Sequence, residues 1–159
     1  MEPKEFSQNV AGRERLTFRK EERLRHHSLV ENLFRSGKTL YEFPFRLTWD
    51  ALDSETLEKR FRNGVPPRIG QVQMMVTVPK KKRKKAVDRV LMRRRIREAY
   101  RLNRLSLKRE LGNRDDIRVL MLAIVYIHDK NLSYEIIDEK FRNLLLKLVK
   151  KIGKKEGNV

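Results

Sequence analysis

One run limits the fold of this chain more than any other: residues 117–127 are apolar throughout except for Arg118. The run is short of the roughly 18 consecutive apolar residues that span a bilayer, and it lacks the alternation of a strand with one wet face. It predicts a central strand covered on both sides. A helical stripe of Tyr134, Ile137, Phe141, Leu144, Leu145, Leu148 and Ile152, preceded by Ser133 as N-cap, is expected to pack against the sheet. A second, shorter amphipathic helix is expected over about residues 20–35 from Leu24, Val30, Leu33 and Phe34, with Ser36-Gly37 as its stop.

Two more strands follow from period-2 patterns. Phe43, Phe45, Leu47 and Trp49 alternate with Pro44, Arg46 and Thr48, and Pro44, which cannot donate to a ladder, places that end at an edge or a strand start. Val72, Met74, Val76 and Val78 alternate with Gln71, Gln73, Met75 and Thr77 until Pro79. Residues 51–68 have no clear period and contain Asn63-Gly64 and Pro66-Pro67, so they read as a long exposed connection. At 159 residues the chain has room for one domain. We expect it over 16–153, between a flexible, polar arm at 1–15 and a tail at 154–159, with no internal repeat.

Charge narrows the function. Lys and Arg number 39 against 21 Asp and Glu, a net +18, with a pI near 10.5. Such an excess repels itself in a compact fold and calls for a polyanion, with nucleic acid ahead of an anionic membrane surface. With no cysteine there are no disulfides, thiolate nucleophiles or Cys-ligated metals. No stretch is apolar enough to span a membrane, and residues 1–15 lack the apolar centre of a signal peptide, so the expected location is the cytoplasm.

The charge concentrates in residues 80–104. Wound as a helix, this stretch aligns Arg89, Arg93, Arg97, Arg101 and Arg104 on one stripe bordered by Arg94, while Met92, Ile96, Ala99, Tyr100 and Leu107 take the opposite side. Guanidinium groups are permanently charged forks that match phosphate oxygens, and successive ones on a helix face lie roughly 5–6 Å apart. A merely solvated face would interleave both signs, whereas Glu98 is almost alone here. About five neutralised phosphates would give a single-strand salt slope near −3.5. Pro79-Lys80-Lys81-Lys82-Arg83-Lys84 also fits a nuclear import signal, a compositional motif that is expected to be held inside the fold.

The segment Lys85-Ala86-Val87-Asp88-Arg89-Val90-Leu91-Met92-Arg93-Arg94-Arg95-Ile96-Arg97-Glu98-Ala99-Tyr100-Arg101 resembles the signature of the bacterial ribonuclease P protein family. Thr17-Phe18-Arg19-Lys20, Glu22-Arg23-Leu24, Phe34 and Gly37 extend the likeness. Val90 and Leu91 stand where the family pattern has Asn and a second Arg, Val30 where it commonly has Phe, and 51–68 looks like an enlarged loop. The resemblance implies an α+β fold: a small two-layer sandwich of the ribosomal protein S5 domain 2-like type, with a left-handed βαβ crossover holding the basic helix. It implies a ribonucleoprotein that removes the 5′ leader from precursor tRNA, with Mg²⁺ bound by the RNA and no cofactor bound by the protein itself. The implied partners are ribonuclease P RNA and the precursor tRNA 5′ leader, with no membrane and no protein partner.

Candidate residues for the catalytic RNA are Lys85, Arg89, Arg93, Arg94, Arg97 and Arg101. For the leader, bound in a cleft between the first helix and the sheet, they are Phe18, Arg19, Lys20, Phe45, Lys80 and Lys81. Unpaired bases stack on aromatic rings, which brings in Phe43, Phe45 and Trp49, although their alternation equally predicts core. His26, His27 and His128 form no metal-ligand or nucleophile arrangement, and Asp50, Asp53, Asp115 and Asp116 show no diagnostic spacing, so no catalytic or metal-binding residue is expected. The alternatives are a general RNA-binding or ribosome-associated module with no role in cleavage, and a basic membrane-surface protein with few aromatic anchors.

Overall fold

The computed structural model describes residues 18–157, with side chains through Gly153, so the arm expected at 1–15 lies outside the described residues. A 3-10 turn at Lys20–Glu22 is followed by α1 (His27–Ser36), β1 (Lys38–Glu42), β2 (Phe45–Leu52) and α2 (Ser54–Lys59). Then come β3 (Val72–Thr77), α3 (Ala86–Gly112), β4 (Val119–Tyr126) and α4 (Tyr134–Gly157). The sheet order is β1-β2-β4-β3, with β4 antiparallel to β2 and parallel to β3. A parallel pair needs a crossover, and α3 supplies it.

All eight residues of β4 are buried. Leu120, Leu122, Ile124 and Tyr126 face a core built with α3 and α4, including Met92, Ile96, Tyr100, Phe141 and Leu148. Val119, Met121 and Ala123 face a smaller cluster with Leu29, Leu33, Leu57 and Ile69. The fold is α+β: a main sandwich of sheet on α3 and α4, with a lesser cover of α1 and α2 on the other side. Cover on both sides is why residues 117–127 show no alternation.

Several local expectations need correction. The first helix does not begin at Lys20; after the 3-10 turn the chain is extended and α1 starts at His27. Leu24 N donates to Met74 O at 3.0 Å, and Arg23 forms an isolated parallel bridge with Met74, so this segment partly satisfies the free edge of β3. Leu24 still reaches the core, but Phe34 is 50% exposed while Leu29 is fully buried. Phe43 is also exposed, because it and Pro44, joined by a cis peptide bond, form the turn before β2.

The sequence patterns missed β1, where only Leu40 is buried. Residues 51–68 are not simply an exposed connection: β2 continues to Leu52, the Asp53 side chain caps α2 by accepting from Thr56 N at 2.8 Å, and Leu57 is buried. A single anchor leaves no period to detect. The stop at Gly37 has a steric reason, since a Cβ there would lie 2.5 Å from Leu33 O. Ser133 Oγ accepts from Ile136 N at 3.3 Å as an N-cap does, and α4 runs on past 153 to Gly157.

Candidate nucleic-acid interface

Helix α3 lies on the sheet through Met92, Ile96, Ala99, Tyr100 and Leu107, all fully buried and all on the face expected to be apolar. The other side displays Arg94 and Arg97, with Arg93 half-buried beside them. Partial burial, then repulsion from Arg93 and Arg23, push the Arg97 pKa down from its ordinary value. A cation held among cations is relieved by an arriving phosphate.

The approach to α3 is braced by arginine. Arg89 Nη1 donates to Arg83 O at 2.9 Å and Lys84 O at 2.8 Å. Arg83 in turn donates to Asn131 Oδ1 at 2.9 Å and pairs with Asp88 at 3.0 Å. Arg89 thus ties the turn before the helix, and Lys80, Lys81, Lys84 and Lys85 stand exposed around it. Arg101 is met by Glu98, with Nε to Oε1 at 3.0 Å and Nη2 to Oε2 at 2.5 Å. That hydrogen bonding holds the Glu98 carboxyl below its usual range and raises the Arg101 pKa.

Arg104 does not belong to the outward stripe. Its side chain is 1% exposed and donates to Glu22, itself 7% exposed, while Lys108 Nζ lies 3.2 Å from the same carboxylate. Helical geometry aligned it with Arg97 and Arg101, but the 3-10 turn covers that end of the helix and brings the carboxylate with it.

A cleft of about 400 Å³ opens where α3, β3 and the N-terminal segment meet. Met74, Met75 and Val76 line it from β3, and Arg97 from α3. Phe18, Arg23, Leu24 and Arg25 complete the lining. The Phe18 ring stands edge-on to Tyr100 at 5.7 Å between centroids, and the Arg23 guanidinium lies 5.5 Å from its centre. Phe18 thus sits in the cleft; Arg19 and Lys20 are exposed next to it, and Lys80 and Lys81 follow the end of β3 without lining it.

Phe45 requires correction as a leader-stacking residue. It is fully buried, with its ring centroid 5.9 Å from Phe141 and 6.5 Å from Tyr126. Trp49 is buried as well, with Lys38 Nζ 4.8 Å from its ring centre. Arg23 and Arg25 were missed by sequence reasoning. Their signal is alternation around buried Leu24, visible only to a reader who takes 23–25 as extended rather than helical.

Among the described residues, no group of three or more His, Asp or Glu side chains is arranged to hold a metal ion. Three of the acidic residues singled out earlier have structural partners: Asp50 pairs with Lys38 at 3.2 Å, Asp116 with Arg114 at 2.9 Å, and Asp53 caps α2. His128 packs against Phe43 at 5.0 Å. No helix among the described residues is long and apolar enough to cross a membrane.

A family model described as Ribonuclease P matches residues 18–149. The ribonuclease P protein component of Porphyromonas gingivalis, in each of two strains, is 26% identical over 129 residues, covering 81% of this chain and 84% of the relative. The RNase P protein from Thermotoga maritima superposes with a TM-score of 0.53 at 20% identity, covering 78% of this chain and 94% of that one. At that identity the superposition bears on the fold alone.

Proposed function

The chain belongs to the ribonuclease P protein family, and from that premise we propose that α3 binds the enzyme's catalytic RNA while the cleft beside β3 receives the 5′ leader of precursor tRNA. As a ribonuclease P subunit, the protein serves tRNA processing through RNA binding. The observation that carries the finer reading is the position of Arg97. It stands beside Arg93 on the outer face of α3 and also lines the cleft with Phe18, Arg23 and Arg25.

The residues suit binding and orientation. Arg93, Arg94 and Arg97 with Lys84 and Lys85 neutralise phosphates of a folded RNA, and the cations at the cleft hold those of a single strand. Phe18 offers a ring to an unpaired base, which stacks without regard to its identity. Mg²⁺ held by RNA oxygens supplies the hydrolytic chemistry when the ribonucleoprotein is assembled. The protein's share is non-catalytic, and its place of work is the cytoplasm.

The test is multiple-turnover cleavage of a precursor tRNA by the cognate ribonuclease P RNA at low Mg²⁺, with and without the protein. Stimulation with the mature 5′ end is expected. Phe18→Ala should raise KM for a leader-bearing substrate more than for one whose leader is nearly absent. Tight RNA binding without stimulation would reduce the protein to a general RNA-binding module.

A further inference from the structure

A second groove, of about 190 Å³, lies between the N-terminal segment and the end of the enlarged connection. Lys20, Glu21, Arg25 and His26 form one wall, and Pro66, Pro67 and Arg68 the other. Arg25 also lines the cleft beside β3, so one guanidinium is common to both surfaces. Lys20, Arg25 and Arg68 outnumber Glu21, which suits a polyanion. Pro66, Pro67 and the His26 ring supply flat, weakly polar faces, and His26 stands edge-on to Phe61 at 5.6 Å. Burial, then repulsion from Arg25, push the His26 pKa down, which favours the neutral ring.

The walls are fastened together. Gly70 N donates to Glu21 O at 3.0 Å, and the Gln73 side chain donates to the same carbonyl and to Gly70 O. The approach is close: a Cβ on Gly70 would lie 3.0 Å from Glu21 O. Ile69, next in the chain to Arg68, is buried in the smaller core cluster. At its rim Arg68 has φ +101°, the only positive φ of a non-glycine residue among those described. A side chain rarely occupies that region unless its surroundings impose it, and here the imposed backbone carries a guanidinium.

We propose that this groove is a second single-strand RNA subsite, taking leader nucleotides farther from the cleavage point than those in the cleft. Arg68 and Lys20 hold the phosphates, a base rests on Pro66, Pro67 and His26, and Arg25 carries the strand across. The proposal rests on the reading of the cleft as the leader site.

The test measures substrate affinity of the reconstituted holoenzyme for precursor tRNAs with leaders shortened step by step. The unaltered enzyme should lose affinity in two stages. Arg68→Gly should remove only the stage due to long leaders, by about tenfold, with short-leader affinity and the thermal midpoint unchanged, because glycine adopts positive φ without strain. Arg68→Lys should retain part of that stage. An unchanged long-leader affinity in Arg68→Gly, or an equal loss at every leader length, would overturn the second subsite while leaving the cleft intact. Absence of any leader-length dependence in the unaltered enzyme would overturn the cleft reading together with it.

Discussion

Arg93 and Arg97 in the first half of α3 and Arg101 and Arg104 in its second half follow one another at three- or four-residue intervals, yet among the described residues a carboxylate pairs only with the last two. Arg93 and Arg97 crowd one another and Arg23. Arg101 is held by Glu98 from one turn before, and Arg104 by Glu22 from 82 residues away. Arg101 and Arg104 complete the structure; Arg93 and Arg97 leave a positive field that no carboxylate among the described residues cancels. Periodicity shows which residues share a face, but the segment laid across that face decides which of them meet RNA.

The largest expected effect breaks the comparison at its buried end. Arg104→Ala strands the Glu22 carboxylate, partly relieved by Lys108, and should cost about 3 kcal/mol in urea unfolding of the free protein. Combining Glu22→Leu with Arg104→Met should recover most of that loss, since an apolar pair of similar volume needs no desolvation. A single-variant cost below about 0.5 kcal/mol would show that Arg104 behaves as a surface group.

Next in size is the exposed end. Arg93→Ala with Arg97→Ala should weaken RNA binding about tenfold and reduce the steepness of its logarithmic salt dependence by about 1.4. Folding stability should hold or rise as repulsion is relieved. An unchanged salt slope would mean that the RNA uses another face. Since Arg104 is buried and Arg101 is paired with Glu98, the stripe itself supports a slope nearer −2.1 than the −3.5 expected from five phosphates, at about 0.7 per contact.

The smallest effect lies at the boundary. Glu98→Gln should release Arg101, improve RNA affinity about twofold and cost less than about 0.5 kcal/mol, because the pair is partly exposed. The Glu98 carboxyl titrates below its ordinary value of 4.5 in the folded protein. Its contribution to stability is therefore fully present above that value and is lost as pH falls through the lower folded value. The stability difference between wild type and Glu98→Gln should shrink over that acid range in pH-dependent unfolding; a difference constant with pH would remove the pair from the account.

Two aromatic residues make the same point on a smaller scale. Phe18 and Phe45 were both candidates for stacking on leader bases. Phe45 alternates with polar neighbours along β2 and is core, as such alternation equally allows. Phe18 belongs to a short flank with no period of its own, yet it lines the cleft. Neither outcome could be read locally, because exposure depends on what the opposite layer brings.

Much was nevertheless written in the order of residues. The nearly unbroken apolar run placed β4 inside the sheet; helical spacing assigned the inner faces of α3 and α4; Ser133 marked a helix start; and the Lys85–Arg101 signature pointed to the family. These features depend on neighbours within a turn or two, which a linear pattern records. Tertiary structure decided the extended path of 23–25, the anchoring of 51–68 through Leu57, the burial of Arg104 and the groove at Arg68. Each depends on a contact between segments far apart in the chain, and the energy of burying a charge or pairing a strand edge is settled only when those segments meet.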